Sequence, residues 1–315
     1  MNDAAIGHGG RAGPAVAPTP TLHAEIAALL HDFSIEVTPG EVARLGSPPA
    51  DLPAASRVYI TSIAGKPFDA TLRAAVRLRE WGMQPVPHLV ARGIADPSAL
   101  DDMLAALRRE AAVDHALLIA GSARTPLGSF DASLPALRTG SFERHGWRGL
   151  GVAGHPEGSP ELTPEVLAQA LKAKSDYARS STLRIHVITQ FCFDATPLLG
   201  WERGLRAAGI GLPVTAGLAG LASLPTLIRY ARICGVGASL GVLTRQAGRL
   251  LRLSAAVTPG ALVTAIAAAR RADPGGSFAG VHFFPFGSLE ATVAWAAAVA
   301  RGDFKLIRGE SDIEV

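Results

Sequence analysis

A carboxylate inside an apolar strand is the feature of this chain with the most chemical consequence. Glu36 stands between Ile35 and Val37, where an ionised carboxylate is costly unless it is paired. Such a group is either held in a structural pair or kept partly protonated so that it can deliver a proton. Further polar residues close other apolar runs: Thr61, His88, Gly121-Ser122, His155 and Gln190. Each has a plainer reading beside the functional one. A histidine such as His88 can be a satisfied core residue or an acid–base group, and Gln190 can cap backbone at a strand end or hold a ligand. Gly217-Leu218-Ala219-Gly220 reads as a tight turn. Arg245, Arg249 and Arg252 share one helical stripe, either a solvated face or a groove for an anionic ligand.

The elements that position these residues alternate in type. Eight short β-branched or apolar runs, Phe33–Thr38, Arg57–Thr61, Gln84–Leu89, His115–Ala120, Gly149–Ala153, Arg184–Phe191, Pro213–Ala216 and Gly280–Phe284, are separated by longer helical patterns. That order is the pattern of a parallel sheet wound by crossover helices. Eight units close an α/β fold of the (β/α)8 or TIM-barrel type, a single domain whose chemistry lies at the C-terminal ends of the strands. The polar residues above all fall at those ends, on strands one to six. Asp96-Pro97, Thr163-Pro164 and Thr258-Pro259 predict helix starts, because the first residue offers a cap acceptor and the proline a preset first helical residue. After the first of these, Leu100, Met103, Leu104 and Leu107 recur at helical spacing. The last crossover, residues 223–279, predicts three helical pieces: Pro225–Ile233, Leu240–Leu251 and Pro259–Ala272. The barrel is expected over residues 21–307, with residues 1–20 a disordered arm and residues 308–315 a flexible acidic tail.

With 315 residues, 48% hydrophobic and 18% charged, the chain can build an ample core, which excludes global disorder. The net charge of +3 is spread along the chain, so no nucleic-acid partner is expected. Cys192 and Cys234 supply neither a zinc ribbon nor a disulfide framework, so no metal site is expected and a reducing cytoplasm is the expected compartment. Met1 to Pro20 does not read as a secretory signal, and no apolar run approaches the ~18 residues of a membrane span. Serine-hydrolase elbow, zincin and phosphate-loop motifs are absent. Gly235 to Gly241 approaches a dinucleotide fingerprint, but it follows a helical pattern and its third glycine is one place late, so it reads as a helix cap and turn.

The order of motifs resembles the methylenetetrahydrofolate reductase family over roughly Ser34 to Glu290. Ser34-Ile35-Glu36-Val37-Thr38-Pro39 is similar to the family's opening Ser-Phe-Glu-Phe-Phe-Pro strand, and Pro87-His88-Leu89 to its third strand. Val152-Ala153-Gly154-His155-Pro156-Glu157 is similar to Val-Ala-Ala-Tyr-Pro-Glu. Leu171-Lys172-Ala173-Lys174-Ser175-Asp176 and Ile188-Thr189-Gln190-Phe191-Cys192-Phe193-Asp194 resemble Leu-Lys-x-Lys-x-Asp and Ile-Thr-Gln-Phe-Phe-Phe-Asp. The resemblance implies hydride transfer between 5,10-methylenetetrahydrofolate and 5-methyltetrahydrofolate through a bound flavin (FAD), with NADH or NADPH reducing the flavin in a separate half-reaction. It implies tetrahydrofolate derivatives as partners and a homo-oligomer. It makes Glu36 the acid that opens the folate's five-membered ring, and Gln190 and Phe191 the contacts to folate and nicotinamide. It places Thr61, His88, Gly121, Ser122, His155 and Lys174 around the flavin.

The departures bear on the flavin. The fourth strand ends Ala120-Gly121-Ser122 where the family has Arg-Gly-Asp, and that aspartate steadies a cationic folate intermediate. His155, Ser159 and Cys192 replace tyrosine, histidine and phenylalanine, and Phe284-Pro285-Phe286-Gly287-Ser288 replaces Tyr-Thr-Leu-Asn-Arg. Two alternatives therefore stand beside flavin-dependent reduction: direct hydride transfer from the nicotinamide to folate without flavin, and a folate-binding protein without redox chemistry.

Overall fold

In the computed structural model, which describes residues 20–63, 65–233 and 257–315, eight parallel strands close a barrel in chain order. The strands are β1 Ser34–Val37, β2 Arg57–Ile60, β3 Gln84–Val90, β4 His115–Ile119, β5 Gly149–Gly154, β6 Arg184–Cys192, β7 Val214–Ala219 and β8 Phe278–Phe284. All eight runs expected from the sequence are strands, with ends that agree or are shifted by up to three residues. Closure comes from β1 pairing with both β2 and β8, so that Glu36 lies opposite Tyr59 and Ser34 opposite His282. Successive side chains point to opposite faces of a strand. Ile35 and Val37 therefore pack outward against the helices while Glu36 faces the barrel interior.

The helix starts show why most of the local signals were sufficient. Asp96 accepts a hydrogen bond from Ala99 N at 2.8 Å to open the helix Pro97–Ala111, and Thr163 does the same for Pro164–Ala178 through Val166 N at 3.4 Å. Leu100, Leu104 and Leu107 are fully buried. Thr258 does not cap. That helix runs Gly260–Ala272 with Pro259 at the cap position and no side-chain cap. The space at its first residue belongs to Asp312, whose Oδ1 lies 2.5 Å from where a Gly260 Cβ would stand.

Asp312 arrives there because residues 308–315 are not a loose tail. Asp312–Glu314 forms β10, antiparallel to β9 at Lys305–Ile307, and Ile313 is 4% exposed against the apolar core. The hairpin is held by Ile313 and Leu306 against the core and by the Arg308–Asp312 ion pair at 3.0 Å, signals too scattered to outweigh the acidic composition of the segment. A helix over Leu22–Leu30, capped by Thr21, precedes β1 and buries Leu22, Ile26, Leu29 and Leu30 on one stripe. Glu25 on that helix pairs with Arg270 at 3.1 Å. In the long crossover, Leu224–Ile233 is helical. The expected helix Leu240–Leu251, the Gly235 to Gly241 segment, the arginine stripe, Cys234 and the arm before Pro20 lie outside the described residues. Among the described residues no helix is long and apolar enough to cross a membrane.

Candidate functional site at the C-terminal mouth of the barrel

Glu36 is the centre of a group contributed by four strands. His88 Nε2 from β3 lies 3.3 Å from Glu36 Oε2, and His282 Nε2 from β8 lies 3.8 Å from the same oxygen. The Thr61 hydroxyl, just past β2, faces the carboxyl. The His88 contact is close but misaligned for a hydrogen bond, and Nε2 of His88 and Nε2 of His282 are both buried without a hydrogen-bond partner. His282 is held from behind by Ser34 Oγ at 2.9 Å from Nδ1. Tyr59 tilts its ring against His282, with centroids 4.6 Å apart.

The electrostatics follow from burial. Burial raises the pKa of Glu36, with Glu41 adding to the rise, and the nearby His88 and the Thr61 hydroxyl only partly offset it. His88 is pushed down, again chiefly by burial and against the pull of Glu36. Burial pushes His282 down to about 3. Two neutral histidines therefore flank a carboxyl biased toward its protonated form. This is an arrangement that can hold a proton at Oε2 and release it to a base entering from the mouth.

Gln190 stands on β6 at a bulge between Ile188 and Phe191. Thr189 fixes the bulge, since its hydroxyl accepts from Gly217 N and donates to Gln190 O, both at 2.8 Å. The Gln190 amide nitrogen is buried and makes no hydrogen bond, so it caps nothing. Phe191 is 3% exposed and enclosed by other rings, not open at the mouth.

A second pole lies on β5 and the helix after it. Lys174 is 8% exposed and forms no ion pair among the described residues, and burial pushes its ammonium down to about 8. His155 beside it is lowered by burial and by the Lys174 charge. A buried ammonium without a counter-charge suits an anionic group of a ligand. Between the poles, Gly121 turns the chain at φ +90°, where a side chain would be strained and would overlap Val90. Ser122 follows it and is exposed.

The structure thus brings Glu36, Thr61 and His88 together and sets His155 with Lys174. Sequence reasoning missed His282 and its support Ser34. The signal was available: His282 sits between Val281 and Phe283 as Glu36 sits between Ile35 and Val37. Among the described residues no group of three or more His, Cys, Asp or Glu side chains could hold a metal ion.

No family model matches the chain. Methylenetetrahydrofolate reductase 1 of Schizosaccharomyces pombe is 33% identical over 88 residues, 28% of this chain and 14% of that enzyme, so the match spans a small part of the relative's length. A solved structure from Clostridium thermocellum, an uncharacterized protein that binds two copies of 5-methyl-5,6,7,8-tetrahydrofolic acid, superposes with a TM-score of 0.55. It is 11% identical, and the match covers 88% of this chain and 95% of the other. The partial sequence match makes a segment of this chain similar to a methylenetetrahydrofolate reductase, and the whole is carried on a closed eight-stranded parallel barrel.

Proposed function

We propose that the chain binds a reduced folate over Glu36 and Gln190 and interconverts 5,10-methylenetetrahydrofolate and 5-methyltetrahydrofolate by hydride transfer, with NADH or NADPH as the source or sink of electrons. The observation that carries this reading is the buried carboxyl of Glu36, raised in pKa and flanked by two neutral histidines at the mouth. In the reducing direction Glu36 gives its proton to the departing folate nitrogen, which opens the five-membered ring and leaves the cation that accepts hydride. Gln190, with a free amide donor, orients the ring system.

The residues present suit FAD at one end. Lys174 and His155 offer a buried cation for a diphosphate, and Thr61, His88, Gly121 and Ser122 would line the rest. When bound, FAD supplies the carrier that takes hydride from the nicotinamide and gives it to the folate. Purified protein treated with excess FAD and freed of unbound cofactor is expected to keep a flavin spectrum. That spectrum should bleach with reduced nicotinamide and recover with methylenetetrahydrofolate; a protein that stays colourless overturns the flavin assignment.

A second reading, folate binding without flavin, is favoured by Ser122, an exposed hydroxyl where the family has an aspartate beside the cationic intermediate. The Clostridium thermocellum protein, which binds 5-methyltetrahydrofolic acid on a similar barrel, is consistent with it. It predicts saturable binding of 5-methyltetrahydrofolate with no folate-dependent nicotinamide oxidation at any FAD concentration. Flavin-free hydride transfer predicts oxidation of reduced nicotinamide by methylenetetrahydrofolate in colourless protein.

A further inference from the structure

Away from the mouth, the two helices that follow β1 and β2 leave a cavity of about 400 Å³ between them. The sequence makes this space. The first helix, Pro39–Arg44, has six residues and lends Gly40 and Ala43 to the wall; the second, Phe68–Glu80, lends Ala70 and Ala74. Side chains this small do not fill the gap, and the helices are held apart at its two ends. The Arg77 guanidinium donates to Ala43 O at 3.4 Å and to Leu45 O at 2.5 Å, which ties the end of the first helix to the second. At the other end Lys66 N donates to Ile63 O at 3.0 Å, a turn that stands Ile63 against the cavity with 40% of its surface exposed. Val42, 1% exposed, lies at the floor.

These apolar walls meet charge of one sign. Lys66, Arg73 and Arg77 line the cavity and no acidic residue does. A Cβ on Gly40 would stand 3.6 Å from the Arg44 guanidinium, which adds a fourth cation beside it. Arg44, Lys66 and Arg73 form no ion pair among the described residues. The opposite face of the helix Phe68–Glu80 gives the contrast: a wider groove there sets Asp69, Glu80 and Glu110 beside the same Arg73 and Arg77. One face is balanced, and the other lacks its anion.

We propose that this cavity binds a small amphipathic carboxylate, its hydrocarbon body against Val42, Ala70 and Ala74 and its head among Lys66, Arg73 and Arg77. The volume falls in the range of small-molecule pockets, which are mostly apolar with a few placed polar groups. Burial of the body gives affinity, and the cations fix the head by charge-assisted hydrogen bonds. The chain's own N-terminal stretch is no rival occupant, since residues 1–19 bring one acid, Asp3, and one arginine, Arg11. None of the residues proposed for folate or flavin lines the cavity, so the site stands or falls apart from that reading.

The full-length protein is titrated calorimetrically with octanoate, with octanamide, which has the same body without the charge, and with acetate, which has the charge without the body. Octanoate is expected to saturate one site, with octanamide and acetate at least about tenfold weaker. Two variants locate that site. Arg73→Gln removes an exposed cation and is expected to weaken octanoate binding about tenfold. Ala70→Leu fills the cavity from a half-buried position and is expected to abolish binding, with the circular dichroism of both variants that of the wild type. No saturable binding of octanoate by the wild type, equal affinity for octanamide, or an octanoate affinity that either substitution leaves unchanged overturns the proposal. So does sedimentation of the wild type as a dimer and of Ala70→Leu as a monomer, which would give the cavity to a second copy of the chain.

Discussion

At the N-terminal end of the barrel interior Asp114 lies 2.7 Å from His115 and 3.5 Å from Arg148, and His186 Nε2 lies 3.3 Å from the Tyr59 hydroxyl. At the C-terminal end Glu36 has two imidazoles within 4 Å, yet His88 Nε2, His282 Nε2 and Gln190 Nε2 make no hydrogen bond. The same residue types in one barrel are paired below and left wanting above. A buried polar group without a partner costs about 1–3 kcal/mol, and three such atoms lie together where the folate site is proposed. Within the barrel interior, polar satisfaction and not residue type distinguishes the lower group from the upper one.

Exchanging the carboxyl at the upper end should have the largest effect. Glu36→Gln keeps the shape and removes the proton, and is expected to lower folate-dependent nicotinamide turnover by about 100-fold or more with the fold intact by circular dichroism. Turnover within a fewfold of wild type would remove the acid from the upper end and with it the functional side of the comparison.

The second pole gives the next largest effect, in affinity. Lys174→Met removes a buried ammonium that lacks a counter-charge. FAD retention should weaken by about 10- to 100-fold, the loss of a charge-assisted contact. The thermal midpoint of the ligand-free protein should stay level or rise, because the desolvated charge is gone. A variant that loses stability and keeps its FAD affinity would make Lys174 a structural residue like those below.

The ends also differ in how they respond to pH. Glu36 has a folded-state pKa above the ordinary value of 4.5, so the native state binds more protons than the unfolded state between those limits. Stability from this group is present below about pH 4.5 and is lost as pH rises through the folded value. Glu36→Gln should therefore match wild type in urea melts at pH 4 and exceed it at pH 8. His186 runs the other way: its pKa is lowered to about 4, so its contribution is full above pH 6.5 and falls away as pH drops toward 4. Equal pH profiles for wild type and Glu36→Gln would show that the carboxyl ionises freely.

Much of this was legible in the sequence, because a barrel strand is a short, local signal and a charge inside one is conspicuous. Glu36 and His88 stood out by that rule. His282 did not, although it stands between Val281 and Phe283 in the same way, because the neighbouring Phe284-Pro285-Phe286 departs more visibly from a regular strand. What joins Glu36 to His282 is the closure of β1 on β8, a pairing across nearly the whole chain that no window of sequence contains. The enclosure of Phe191 depends likewise on three separate segments. Thr258 is not the cap, because the helix starts one residue later than the Thr-Pro pair predicts, with Pro259 at the cap position.

The smallest expected effect belongs to the lower end, and it completes the comparison. Asp114 and His115 are each about a quarter exposed or less, and the Arg148 side chain is 72% exposed, so the Arg148 pairing adds little. Asp114→Asn keeps a hydrogen-bond acceptor for His115 and removes the charge. A loss of about 1 kcal/mol in urea unfolding is expected, with turnover and ligand affinity unchanged because no atom of the pair reaches the mouth. A turnover loss larger than the stability loss explains would mean that the histidines of the two ends communicate through Tyr59, whose ring touches His282 while its hydroxyl faces His186. The lower end would then belong to the mechanism, and pairing would no longer distinguish structure from site.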